Sequence, residues 1–367
     1  MFVPKGKTWE FAKKIKDEVN ISTIFVGQIN RKVDIEILDK EYHSDYIAIG
    51  RALIADPNFI GKILLKIKGN YRPCLACAEG CLGGVKSGQG LQCLVNPEVG
   101  MDKVRVKKAG KLKHFAVVGG GLAGMEAALI LKERGHDVEI YEKDKLGGQF
   151  NLASLTPNKK SMDALVPYFI KEIENENINI IHKEAAKSDL IDKYDEVIIA
   201  TGSKPGSIDI PGLDKFYWAE ILLEENLPEN KKILIIGGGL IGVDIATALI
   251  PRNNQVIIVK RTTNFGEDME MIAKTLSLKM MKEKGTQFSD HTFIEKVTGK
   301  RVYARKDGEP VQFNNVDLIV ISTGMKSFNP LKDELENVMH VHIIGDAKKI
   351  GNAQDAIKDG YETAKKL

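Results

Sequence analysis

Apolar positions along this chain follow two periods, and the switches between them mark out its elements. Residues 8–19 carry Phe11, Ile15 and Val19 at helical spacing, and 21–26 form a short apolar run that stops at Gly27. Residues 34–38 continue as helix, and 46–49 form a second apolar run closed by Gly50 and Arg51. Residues 1–65 therefore read as helix, strand, helix, strand, helix. Short buried strands alternating with helices signal parallel βα units. Beyond a cysteine- and glycine-rich stretch at 66–110 the alternation returns. Apolar runs at 114–118, 137–141, 232–236 and 255–259, with a helical stretch at 125–134, predict further parallel sheets from about residue 111 to the C-terminus.

At 367 residues the chain is too long for one core, so two or three domains are expected. A net charge of +3 from 53 basic and 50 acidic residues gives no general attraction to nucleic acid or membrane. The basic stretch Lys103, Arg105, Lys107, Lys108, Lys111 and Lys113 reads as a solvated linker. No apolar run approaches the ~20 residues of a membrane helix, and the first residues lack signal-peptide form, so a reducing cytoplasm is the expected compartment.

All four cysteines, Cys74, Cys77, Cys81 and Cys93, fall within twenty residues in a C-x2-C-x3-C-x11-C pattern threaded by glycines. Four thiolates at such spacing suit an iron–sulfur cluster. Zinc is the competitor, although its structural sites usually pair two C-x2-C knuckles; plain structural cysteines are the third reading.

Two glycine motifs lie 118 residues apart. The first, Gly119-Gly120-Gly121-Leu122-Ala123-Gly124, follows an apolar run and precedes a helical one, the context in which G-x-G-x-x-G binds a dinucleotide. Gly119 allows the turn, Gly121 admits a pyrophosphate to the backbone, and Gly124 lets helix and strand pack closely. The helix N-terminus offers unpaired N–H groups to phosphate. Glu142, 23 residues after Gly119, ends the next strand, where a carboxylate accepts from ribose hydroxyls. The second motif has Gly237, Gly239 and Gly242, but its following strand ends at Lys260-Arg261. Two cations there attract a 2′-phosphate and favour NADPH over NADH; the alternative is two solvated surface cations. Two nucleotide sites with different ribose readouts imply FAD in the first and a nicotinamide cofactor in the second. Gly148-Gln149, the strand-end turns Thr201-Gly202 and Thr323-Gly324, and Gly345-Asp346 before the last helix fit a flavoprotein in that order.

At this point the chain resembles the C-terminal part of the iron–sulfur flavoenzymes related to 2,4-dienoyl-CoA reductase, trimethylamine dehydrogenase and bacterial NADH:flavin oxidoreductases or enoate reductases. The residues that carry the likeness are Arg72-Pro73-Cys74 through Cys81-Leu82-Gly83, Cys93 through Asn96-Pro97, and Gly50-Arg51 through Asp56-Pro57. The resemblance implies an α/β fold in three parts. A partial (β/α) barrel remnant (1–65) precedes a [4Fe–4S] segment and linker (66–110). A two-dinucleotide-binding-domain flavoprotein follows, with a Rossmann-like FAD domain (111–205 plus 325–367) and an inserted NAD(P) domain (206–324). It further implies that Gly27, Gly50 and Arg51 hold an FMN phosphate.

Only two βα units of the barrel are found in the first ~65 residues, where such a barrel runs to ~250. Gln28 stands where Gly-Arg is common, and no His or Tyr is assignable as a catalytic acid. The uncovered strands predict a partner, either a polypeptide completing the barrel or a second copy of the chain. On the family pattern, electrons pass from NAD(P)H through FAD and the cluster to FMN and an enoate or enoyl-CoA type C=C acceptor. The alternatives are an FAD and iron–sulfur electron-transfer subunit without FMN, or a truncated nucleotide-binding chain without useful turnover. No cysteine follows Cys93, so electrons do not leave through a thiol pair near the flavin.

Overall fold

The computed structural model describes residues 4–101, 106–214, 216–223 and 227–367; Lys103 and Arg105 of the basic stretch, and Met1–Val3, lie outside them. The chain divides into two units. The first comprises Met1–Asn151, Ser161–Gly202 and Ser327–Leu367; the second comprises Leu152–Lys160 and Ser203–Lys326.

The first unit opens with two parallel βα elements. Helix Lys7–Glu18 leads to strand Ile24–Val26, and helix Lys32–Lys40 leads to strand Tyr46–Ala48, which pairs in parallel with the first strand. Trp9, Phe25, Ile29 and Leu38 form the core between helices and sheet. The apolar pattern has a different consequence here from the one its spacing predicts. Phe11 and Ile15 are 53% and 59% exposed, because the helix turns Trp9 and Ala12 inward instead. The strands are not buried on both faces either: Phe25 is covered, whereas Ile24, Val26 and Tyr46 are 63%, 57% and 61% exposed. Alternate residues of a strand point to opposite faces, and only one face here has helices on it.

The main sheet of this unit is five-stranded and wholly parallel, in the order His340–Ile343, Glu196–Ile199, His114–Val118, Asp137–Tyr141, Asn179–Ile181. Its central strands bury every residue from Phe115 to Val118 and from Glu196 to Ile199, the continuous apolar reading of a two-sided sheet. Helix Leu122–Arg134 packs against helix Ala353–Ala364, and Gly360 permits the approach: a Cβ there would lie 2.4 Å from the Ala123 carbonyl oxygen.

The second unit repeats the plan. A four-stranded parallel sheet runs Gln287–Ser289, Gln255–Val259, Lys232–Ile236, Leu318–Ile321, and helix Leu240–Leu249 follows its central glycine-motif strand. An antiparallel meander, Thr292–Thr298, Arg301–Lys306 and Glu309–Phe313, supplies Ile294, Val302, Ala304 and Phe313 to a core shared with Leu234 and Ile257. Among the described residues no helix is long and apolar enough to cross a membrane.

Candidate functional site

Both glycine motifs form the strand–turn–helix that their spacing predicts. Gly119 has φ +113° and Gly237 has φ +114°, a region that side chains disfavour. Each lies against the end of the neighbouring strand. A Cβ on Gly119 would sit 2.3 Å from the Ala200 carbonyl oxygen, and one on Gly237 would sit 2.5 Å from that of Ser322. The third glycines bring helix onto turn. Cβ atoms on Gly124 and Gly242 would lie 2.0 Å and 1.9 Å from the carbonyl oxygens of Gly119 and Gly237. The middle glycines differ. Nothing lies within 4 Å of a Cβ position on Gly121, and only the Asp268 Oδ2, at 3.9 Å, approaches that of Gly239. Backbone left bare in front of a helix N-terminus is what a pyrophosphate requires, so the chain fits such a ligand at both turns.

The structure collects other sequence-predicted residues around the first turn. Thr201 and Gly202 follow Ala200 beside Gly119, with the Thr201 hydroxyl donating to the Phe328 carbonyl. Gly345 meets the start of helix Leu122–Arg134, where its Cβ would be 2.8 Å from that of Ala123, and this brings Asp346 to the same end of the sheet. The Asp346 carboxylate accepts from the Gly351 N–H at 3.0 Å. Gly148 lies beside Gly121 at φ +53°, followed by exposed Gln149. Glu142 accepts from the Gly120 N–H (2.7 Å) and the Asp144 N–H (2.9 Å), so backbone donors fix its carboxylate at the turn.

Around the second turn, Thr323 and Gly324 follow Ser322, whose hydroxyl donates to the Gly237 carbonyl at 2.8 Å. Lys260 packs against Gly238, as Glu142 packs against Gly120. Its ammonium is already engaged: Nζ is 2.9 Å from Glu267 Oε1 and 3.0 Å from the Asn264 carbonyl oxygen. Of the two cations expected for a 2′-phosphate, Arg261 is the exposed one.

All four cysteines are free and half-buried, and they line one pocket together with Arg51, Ile54, Leu75, Ala76, Ala78, Gly80, Leu94 and Val95. Burial pushes the thiols of Cys74, Cys77 and Cys93 up. Four thiols lining a common space are the donor set that a four-cysteine iron–sulfur group would use. Among the described residues no group of three or more His, Cys, Asp or Glu is placed so that it could hold a metal ion. Gly80 allows the two halves of the loop to meet, since its Cβ would lie 2.8 Å from the Cys93 nitrogen. Arg51 opens helix Arg51–Ala55 just past strand Tyr46–Ala48, and Gly27 follows the parallel strand Ile24–Val26, so Gly27, Gly50 and Arg51 share one end of that small sheet. Arg51 is thereby a wall of the cysteine pocket as well as a residue of the strand end.

Sequence reasoning missed the buried pair beside this pocket. Arg72 donates to both oxygens of Glu126, at 2.9 Å and 3.2 Å, and to the Val95 carbonyl. Its guanidinium lies 5.4 Å from the Tyr168 ring centroid and 5.7 Å from that of Phe169. Burial pushes the Glu126 carboxyl up against the pull of Arg72, while the carboxylate keeps Arg72 protonated. A lone acid at Glu126 in an otherwise apolar helix start was the available signal.

Comparison with known proteins agrees with this geometry. A family described as pyridine nucleotide-disulphide oxidoreductase matches residues 113–360, which hold both glycine turns. The chain belongs to that family. Membership indicates FAD and a nicotinamide cofactor, as in an NAD(P)H-dependent flavoprotein oxidoreductase. The disulphide in the family's description has no counterpart here, since the matched region contains no cysteine. Cinnamate reductase of Clostridium sporogenes is 32% identical over 100% of this chain and 56% of its own length. NADH oxidase of Thermoanaerobacter brockii is 32% identical over 96% of this chain and 56% of its own length. The structure of a 2-naphthoyl-CoA reductase with 2-naphthoyl-CoA superimposes with a TM-score of 0.91 at 24% identity, covering 100% of this oxidoreductase and 57% of that chain. The match lies in the C-terminal part of these longer proteins, as for the 2,4-dienoyl-CoA reductase family, and the rest of their length lies outside it. The chain thus spans a little over half the length of the relatives it matches.

Proposed function

We propose that this chain is the electron-supplying part of a reductase for activated C=C bonds of the enoate or enoyl-CoA type. A nicotinamide nucleotide, FAD, a [4Fe–4S] cluster and FMN would supply its redox chemistry in that order. The observation that carries the reading is the pocket lined by all four cysteines and by Arg51. Cys74, Cys77, Cys81 and Cys93 would hold the cluster. Gly119, Gly121 and Gly124, with Glu142, Gly148, Thr201 and Asp346, would bind and orient the flavin dinucleotide. Gly237, Gly239 and Gly242 would receive the nicotinamide nucleotide. Arg51, with the strand-end backbone at Gly27 and Gly50, would face the FMN phosphate. The two small parallel strands would then be a remnant of a (β/α) barrel. The exposed Ile24, Val26 and Tyr46 support the further proposal that a barrel-completing polypeptide, or a second copy of the chain, covers that face.

Flavin and iron analysis of the anaerobically purified chain tests the reading. FAD with about four irons per chain, the iron but not the FAD lost when Cys77 is changed to Ser, is the expected result. FMN in equal amount with FAD supports a complete reductase site. FAD and iron without FMN supports instead an electron-transfer subunit that serves another protein. One tightly held zinc and no iron would overturn the cluster.

A further inference from the structure

The two nucleotide turns are the same device built twice, and the places where the copies differ carry an inference about coenzyme choice. In the first copy, the loop that leaves strand Asp137–Tyr141 returns to the turn, and the Gly147 N–H donates to the Gly120 carbonyl at 2.8 Å. In the second, the loop leaving strand Gln255–Val259 returns in the same way, and the Gly266 N–H donates to the Gly238 carbonyl at 2.7 Å. The residue before each latch covers the turn: Leu146 packs where a Cβ on Gly120 would be, and Phe265 does so for Gly238. Glu142 and Lys260 occupy equivalent places at the strand ends. The residue after the latch is Gly148 in the first copy and Glu267 in the second. Acid at the strand end with no side chain after the latch has become base at the strand end with an acid after the latch.

That acid reaches back to the base. Glu267 Oε1 stands 2.9 Å from Lys260 Nζ, and the lysine side chain is only 12% exposed while the glutamate is 50% exposed. The strand-end charge is therefore neutralised on the side open to solvent. We infer that Glu267 sets the coenzyme preference of the second turn, cancelling the attraction of Lys260 for a 2′-phosphate so that the site accepts NADH. A free 2′-hydroxyl donates a hydrogen bond to a carboxylate, whereas a 2′-phosphate brings like charge against it. Arg261 is left as the exposed cation that pulls the other way. The inference rests on the proposal that this turn binds the nicotinamide nucleotide.

Equilibrium binding of NADH and NADPH to the flavin-loaded chain at low ionic strength tests it, using the wild type, Glu267→Gln, Lys260→Gln and Asp268→Asn. The wild type is expected to bind NADH at least as tightly as NADPH. Glu267→Gln should raise the NADPH-to-NADH affinity ratio about tenfold, the worth of one additional charge-assisted hydrogen bond to the 2′-phosphate. Lys260→Gln, which leaves the carboxylate uncompensated, should move the ratio the opposite way. Asp268→Asn, near Gly239, should strengthen both nucleotides alike and leave the ratio unchanged. A wild type that prefers NADPH tenfold or more, or a ratio unmoved by Glu267→Gln while both nucleotides still bind, overturns the role of Glu267 alone. Failure of all four proteins to bind either nucleotide overturns the assignment of the second turn, and this inference with it.

Discussion

Replacing Glu126 by Gln tests how the cysteine segment is held to the helix of the first glycine turn. Glu126 is fully buried and takes two hydrogen bonds from Arg72, whose side chain is 17% exposed. The amide keeps the shape and one acceptor but removes the charge, leaving the buried guanidinium beside Tyr168 and Phe169 without its counter-ion. Removing one partner of a buried ion pair costs about 3–5 kcal/mol, because the other charge stays desolvated. The amide's remaining bond places Glu126→Gln near the lower figure and Arg72→Met near the upper. At about 2–4 °C per kcal/mol for a unit of this size, the midpoint should fall by roughly 6–12 °C in Glu126→Gln. Trp9 is buried in the first unit and Trp218 in the second, so unfolding followed by fluorescence in a Trp218→Phe background reports the first unit. The double variant Arg72→Met/Glu126→Leu should recover most of the loss, since well-packed apolar residues often replace buried pairs without penalty. A fall of under about 1 kcal/mol in Glu126→Gln, or a double variant whose loss equals the sum of the singles, would refute the reasoning.

The paired turns make separable predictions. Gly124→Ala should abolish retention of FAD on gel filtration, because its Cβ would lie 2.0 Å from a carbonyl oxygen, and nicotinamide-nucleotide binding should survive. Gly242→Ala, with the matching distance of 1.9 Å, should show the reverse, and loss of both ligands in either variant would sink the division of labour. Acid stability offers an independent check at Glu196, a buried carboxylate bonded by Lys113 and by His342 at 2.7 Å. Burial alone would raise its pKa, but those two bonds outweigh burial and hold it below the usual carboxylate range. A depressed folded-state pKa contributes stability above the unfolded value of about 4.3 that is lost as pH falls through the folded one. Thermal midpoints of Glu196→Gln should accordingly decline less steeply than wild type between about pH 6 and pH 3, and parallel curves would refute the assignment.

Features set by neighbours in sequence were legible; features set by distant packing were not. Gly119 and Gly124 contact each other within a single turn, so their spacing alone fixes the geometry. The strands 114–118, 137–141, 232–236 and 255–259 coincide with their apolar runs because each is enclosed by its own sheet. Helical spacing, by contrast, defines a face without saying what covers it, which is why the spacing points to Phe11 and Ile15 while Trp9 fills the core. Arg72 and Glu126 are 54 residues apart, and only the folded chain brings them together. Glu267 lies beyond the strand end at which ribose readout is usually sought, and the loop latch at Gly266 returns it to Lys260.

The cysteine loop has little regular structure of its own, so its position must be imposed from outside. The first βα elements contribute Asn30, which donates from its amide to the Cys74 carbonyl. Ser161 donates to the Leu75 carbonyl at 2.7 Å, and Gln354, from the last helix, donates to Gln92 beside Cys93. Arg72, two residues before Cys74, grips Glu126, and Glu126 lies on the helix that opens at Gly121. Every one of these partners belongs to the first unit. The effect is to fix the four thiols relative to the first glycine turn through side chains that are themselves buried or hydrogen-bonded. A redox group held by these cysteines would keep a constant separation from a flavin at that turn, the condition that efficient transfer between two bound carriers demands. The Arg72–Glu126 pair joins a residue two before Cys74 directly to the helix of the first glycine turn.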